Sequence, residues 1–130
     1  EALGCILHGV VVATKISDSL EDCNLAAVIG ITGTGKSTVI NWLMGVRMET
    51  SPGALGTKKI VISDDNEVRY LGMSHHRASE TFSPQLSSQP CGEMLYFLDT
   101  PGLLENRGPE ISLCTLVSTS LCLKKPKQIR

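Results

Sequence analysis

Short apolar runs alternate with glycine-rich and polar segments along the chain. Residues 25–29 and 95–98 are apolar runs rich in strand formers, and residues 39–44 follow a glycine-rich segment and have helical character. Each strand-like run ends directly before a sequence motif. The pattern predicts an α/β domain in which buried strands lie beside a helix.

A further apolar run covers residues 2–13 and precedes this domain. It is too short to span a bilayer, and no basic residues lead it as they lead a signal peptide. We therefore expect a packed helix or strand here. The predicted organisation is an N-terminal extension over residues 1–23 and a domain over residues 24–130.

Composition and charge exclude some classes of protein. With 42% hydrophobic and 19% charged residues among 130, the chain has the balance of one globular domain. The net charge of −1 provides no general surface for polyanions, so no nucleic-acid partner is expected, and no feature indicates membrane contact. The five cysteines are odd in number and lack C-x-x-C spacing, which is typical of free thiols in a reducing compartment. A cytoplasmic location is predicted.

Residues 30–37, with the sequence GITGTGKS, match every fixed position of the phosphate-binding pattern G-x-x-x-x-G-K-[ST]. We expect the glycines to adopt positive φ and to let backbone N–H groups surround a phosphate, while the lysine adds a full positive charge. The serine hydroxyl is a candidate ligand of Mg²⁺. A ligand-free turn is disfavoured because strand and helix signals flank the motif. The predicted nucleotide-binding residues of this segment are Gly30, Thr32, Gly33, Thr34, Gly35, Lys36, Ser37 and Thr38.

A second motif follows the apolar run at 95–98 and has the sequence Asp99-Thr100-Pro101-Gly102. An acidic residue at the carboxyl end of a strand beside the phosphate loop is suited to a second contact with Mg²⁺. The N–H of Gly102 can hydrogen-bond a γ-phosphate, and that bond is lost when the phosphate leaves. Asp99 and Gly102 are therefore also predicted to bind the nucleotide.

The two motifs together resemble those of the P-loop GTPases of the translation-factor-like class. Residues 35–45 (GKSTVINWLMG) are similar to the corresponding segment of the septin, dynamin-like and immunity-related branches, and the resemblance extends over roughly residues 25–115. It implies a three-layer P-loop fold with a mostly parallel central sheet. It also implies binding of GTP and GDP, Mg²⁺-dependent hydrolysis of GTP to GDP and phosphate, and a role as a switch or assembly GTPase with a homodimer or effector partner.

The resemblance also implies a threonine that closes over Mg²⁺, and two residues are candidates. Thr57 follows the first helix, whereas Thr81 precedes a turn and the strand that ends at Asp99, an order that favours Thr81. Residues 59–63 and 67–71 are then predicted to form an inserted hairpin. The predicted metal ligands are Ser37, Thr81 and Asp99. The predicted catalytic residues are Lys36, Thr81 and Gly102.

The chain departs from the family pattern in two respects. Leu103 stands where many members have a water-orienting glutamine, which predicts slow or partner-stimulated hydrolysis. No N-K-x-D segment for reading guanine is present, so guanine specificity comes from the resemblance, and we expect a piece of a longer protein whose sheet is incomplete at the C-terminus. Two alternatives stay open: an ATPase or kinase with the same loop, and a nucleotide-dependent interaction module with little hydrolysis.

Overall fold

The computed structural model describes residues 2–65, 71, 83–87, 90, 92, 94–102 and 108–130. The helices are α1 (Ala2–Ser19), α2 (Lys36–Leu43) and α3 (Pro109–Cys122). The strands are β1 (Asn24–Val28), β2 (Met48–Pro52), β3 (Lys58–Ile62), β4 (Gln85–Leu86), β5 (Leu95–Asp99) and β6 (Gln128–Ile129).

The main sheet has four strands in the order β4-β5-β1-β6. β1 runs parallel to both of its neighbours, β5 and β6, and β4 is antiparallel to β5. The register pairs Val28 with Asp99, so the carboxyl ends of the two central strands lie side by side. The apolar runs that predict β1 and β5 are the sequence signature of such central, two-sided burial.

Helices cover both faces of this sheet. Successive residues of a strand point to opposite faces, and the core accordingly divides into two clusters. One cluster is formed by Ala13, Leu20, Cys23, Leu25, Leu98 and Cys122 of α1, α3 and the sheet. The other is formed by Ile40 of α2 with Phe97 and Leu71. This three-layer arrangement with a mostly parallel sheet confirms the predicted fold class.

The predicted N-terminal extension is helical and packs along α3. The two helices approach closely at Gly9, where a Cβ would lie 2.8 Å from Cys114 Sγ and 3.7 Å from Ser118 Cβ. The helix also contributes Ala13 to the core on this face of the sheet, and Leu20, directly after the helix, joins the same cluster. No helix within the described ranges is long and apolar enough to cross a membrane.

A separate hairpin joins β2 and β3 in antiparallel register from Met48↔Ile62 to Pro52↔Lys58. The sequence predicts one strand at 59–63, close to β3, and a pairing partner at 67–71, most of which lies outside the described residues. In the structure β3 pairs with β2. The sequence of β2, METSP, is mostly polar and contains a proline, so it carries no strand signal of its own.

Asn41 of α2 holds the backbone of Leu71, which lies between the hairpin and β4 in the chain. The Leu71 N–H donates to Asn41 Oδ1 at 2.8 Å, and Asn41 Nδ2 donates to the Leu71 carbonyl at 2.9 Å. The side chain is 1% exposed. A buried amide that satisfies both backbone groups of a distant residue stabilises the position of Leu71 beside α2.

Asn41→Ala should lower the free energy of unfolding by about 2 kcal/mol, because it leaves both backbone groups of Leu71 buried without their partner. Urea unfolding followed by circular dichroism measures this change. Thr14→Ala, at an exposed position of α1, is the control and should stay within about 0.5 kcal/mol. An Asn41→Ala variant as stable as the wild type would show that the pair contributes nothing.

Candidate nucleotide-binding site

The phosphate loop connects the end of β1 to the start of α2. Gly33 and Gly35 have φ of 82° and 83°, the left-handed region that favours glycine, and Gly35 is the N-cap residue of α2. Gly30 differs from the expectation because its φ is not positive. A Cβ at this position would make a tight contact with the loop, 3.3 Å from Thr34 Oγ1.

Lys36 folds back over this loop. Its Nζ donates to the Gly30 carbonyl at 3.1 Å and to the Ile31 carbonyl at 2.9 Å. Thr34 Oγ1 also donates to the Ile31 carbonyl, at 2.9 Å. The lysine charge therefore lies across the loop at the N-terminus of α2, where the helix dipole and the free N–H groups of the first turn already favour an anion.

Ser37 and Asp99 meet because the strands that precede them are neighbours in the sheet. Ser37 lies in the first turn of α2, Asp99 ends β5, and the Ser37 hydroxyl donates to Asp99 Oδ2. Asp99 is 3% exposed, and its Oδ1 has no hydrogen-bond partner among the described residues. Mg²⁺ is bound in proteins by oxygen ligands such as these hydroxyl and carboxylate groups. The unpartnered Oδ1 gives the Asp99 carboxylate a lone pair that is available to such an ion.

Burial raises the pKa of the Asp99 carboxyl, while the Ser37 hydrogen bond and the Lys36 charge act against that increase. The folded chain thus holds this proton more tightly than the unfolded chain does. The free energy of unfolding should accordingly decrease as the pH rises from the ordinary carboxyl pKa, about 3.9, through the raised pKa of Asp99, and the decrease should be complete above it.

Asp99→Asn should therefore stabilise the nucleotide-free protein at neutral pH by about 1 kcal/mol, because it removes a buried and partly compensated charge. Urea unfolding between pH 4 and pH 8 checks this, and the variant should lose part of the pH dependence of the wild type. Asp64→Asn removes an exposed carboxylate and serves as the control. A variant less stable than the wild type at pH 7 would contradict the account of the buried charge.

The turn that follows Asp99 packs against the end of β1. Thr100 Oγ1 donates to the Val28 carbonyl at 2.8 Å, and Thr100, Pro101 and Gly102 are all buried. Gly102 lies directly against Thr32 of the phosphate loop. The anchoring role of Thr100 is not predicted from the sequence, and no signal in the sequence marks it, because its partner is a backbone carbonyl on another strand.

The remaining predicted residues differ in placement. Thr38 lines a groove of about 680 Å³ on the outer side of α2, together with Val39, Trp42, Met48, Glu49, Thr50 and Ile60. Thr57 is exposed and closes the β2–β3 turn through a 2.7 Å hydrogen bond from its Oγ1 to the Ala54 carbonyl. Thr81 and Leu103 lie outside the described residues, so their predicted roles stay predictions.

A glycine-rich loop between a central strand and a helix, with a lysine across it and a serine–aspartate pair beside it, defines a P-loop nucleotide-binding domain. The sequence profile of the family described as 50S ribosome-binding GTPase matches residues 25–124. The chain belongs to this GTPase family. Comparison with curated proteins and with solved structures finds no match.

Membership in this family confirms the predicted P-loop GTPase domain. The matched residues begin within β1 and extend through α3, so they include both motifs and the strands that carry them. The narrower resemblance to the septin, dynamin-like and immunity-related branches stays a prediction.

Proposed function

We propose that this protein binds GTP together with Mg²⁺, hydrolyses it to GDP and phosphate, and acts in the cytoplasm as a nucleotide-dependent switch or assembly GTPase. The observation that carries the proposal is the Ser37–Asp99 pair, which adjoins the phosphate loop and leaves one buried carboxylate oxygen of Asp99 without a partner among the described residues. Family membership supports guanine as the base.

In this proposal the phosphates of the nucleotide replace the internal contacts of the loop. Lys36 exchanges its two carbonyl acceptors for phosphate oxygens, and the backbone N–H groups at the start of α2 donate to the same anion. Such fixed donors stabilise the charge that develops on the phosphates during hydrolysis. Gly102 supplies an N–H toward the terminal phosphate.

Ser37 and Asp99 are the residues proposed to hold Mg²⁺, with Thr81 as the third candidate from the sequence. Bound there, the ion would neutralise charge on the β- and γ-phosphate oxygens. Ser37 would give up its hydrogen bond to Asp99 and use an oxygen lone pair, and Asp99 would act directly or through a water molecule.

Parallel titrations of the full chain with mant-labelled GTP and mant-labelled ATP, each with Mg²⁺ and with EDTA, test the proposal when phosphate release is measured on the same samples. We expect tighter binding of GTP, dependence on Mg²⁺ and slow release of phosphate. Tighter binding of ATP would overturn the assignment of the base. Tight GTP binding without phosphate release would favour the interaction module, which the leucine at position 103 supports.

The switch or assembly role is tested by the oligomeric state. Size-exclusion chromatography with light scattering should show a shift in mass, or binding of an effector protein, that differs between GTP and GDP. If neither the mass nor the bound partners depended on the nucleotide, the switch or assembly role would be wrong and only the hydrolase activity would stand.

A further inference from the structure

The last residue of the second motif, Gly102, lies against Thr32 of the phosphate loop. A Cβ placed on Gly102 would lie within contact distance of Thr32 Oγ1, 2.7 Å from the Thr32 backbone nitrogen and 2.8 Å from its Cα. All three nearest neighbours of that position belong to Thr32. Thr32 is thus the residue of the phosphate loop that Gly102 contacts most closely.

The turn that carries Gly102 is anchored at two other points. Asp99 is held by the Ser37 hydroxyl, and Thr100 is held by the Val28 carbonyl. Pro101 lies fully buried between Thr100 and Gly102. With those anchors in place, the contact between Thr32 and Gly102 determines how near the last residue of the turn comes to the phosphate loop.

We propose that Thr32 is a positioning residue that sets the preference of this site for the nucleoside triphosphate over the diphosphate. The inference rests on the proposed function, in which the N–H of Gly102 binds the terminal phosphate. That phosphate needs room between Gly102 and the phosphate loop. The diphosphate lacks the terminal group, so Gly102 can stay in contact with Thr32 when the diphosphate binds. Binding of the triphosphate breaks this contact, and the contact therefore favours the diphosphate.

A ligand changes a conformational equilibrium only through its different affinities for the two states. Thr32→Ala removes the side-chain part of the contact and should destabilise the arrangement in which Gly102 lies against the phosphate loop. The ratio of triphosphate to diphosphate affinity should increase about fivefold, within the usual range of coupling between two states. Thr32→Val keeps the size of the side chain and should keep the ratio near that of the wild type.

The experiment titrates the full chain with mant-labelled GDP and with a mant-labelled, non-hydrolysable GTP analogue, both in the presence of Mg²⁺. The ratio of the two affinities is the readout because a partly unfolded variant loses binding of both ligands equally. Thr34→Ala is the matched control, since Thr34 lies in the same loop and donates to the Ile31 carbonyl. It should change both affinities by the same factor.

An unchanged ratio in Thr32→Ala, or a shift toward the diphosphate, would overturn the inference while the proposed function stands. A wild-type chain that binds neither guanine nucleotide would overturn both. A Thr34→Ala variant with the same shift in ratio as Thr32→Ala would also count against the inference, because it would assign the effect to the loop as a whole.

Discussion

Lys36→Ala is expected to lower the affinity for the nucleoside triphosphate about 100-fold, since a hydrogen bond to a charged group contributes about 1.5–3 kcal/mol and this side chain is proposed to bind the phosphates. The measurement is a titration with mant-labelled GTP in the presence of Mg²⁺. The Lys36 ammonium group lies across the phosphate loop, 2.9 Å from the Ile31 carbonyl.

Lys15→Ala is the matched control, because Lys15 is an exposed lysine of α1 on the far side of the sheet from α2. Its removal changes the net charge equally, so a fall in affinity common to both variants would indicate a general effect of charge. Retained affinity in Lys36→Ala would refute the phosphate-binding role of the loop. Urea unfolding of each variant excludes loss of the folded state as the cause.

Gly102→Ala is expected to lower the free energy of unfolding by about 3 kcal/mol, the upper part of the range for overpacking a tight site. The reason is the position of the new Cβ, which would lie 2.7 Å and 2.8 Å from backbone atoms of Thr32. Backbone atoms cannot rotate away as the end of a flexible side chain can. The loop and the turn would therefore have to separate.

The double variant Thr32→Gly/Gly102→Ala tests that explanation. Removing the threonine side chain relieves the contact with Oγ1 and leaves the two backbone contacts, so partial rescue of stability is expected. Gly92→Ala is the control for backbone strain without a clash, since Gly92 has φ of 63° and open space around it. A Gly102→Ala variant as stable as the wild type would contradict the close approach.

The parts of the site that could be predicted from the sequence are those encoded by adjacent residues. The glycine spacing, Lys36 and Ser37 form one continuous motif, and an apolar run precedes it, so strand, loop and helix follow from local rules. Asp99 follows a second such run. That these two strand ends lie together was expected from the resemblance, and the parallel pairing of β1 with β5 confirms it.

The hairpin shows where local rules fail. Residues 58–62 include three consecutive β-branched residues typical of a strand, yet their partner β2 is mostly polar and ends at Pro52. A strand with weak propensity forms when its backbone groups find a partner, and the stabilisation comes from pairing rather than from the residues themselves. Gly30 is another example, since its φ is not positive and a Cβ there would instead make a tight contact with the side chain of Thr34.

The sequence by itself determined the class of this protein: a P-loop GTPase-family domain whose phosphate-binding residues are consecutive and whose second motif ends a buried strand. Only the tertiary structure decided which distant residues contact one another around the site. Three contacts join residues that are far apart in the chain: Asn41 with Leu71, Thr100 with Val28, and Gly102 with Thr32. Such contacts depend on where packing brings each backbone, and the identity of a residue does not specify its partner when that partner is a main-chain atom.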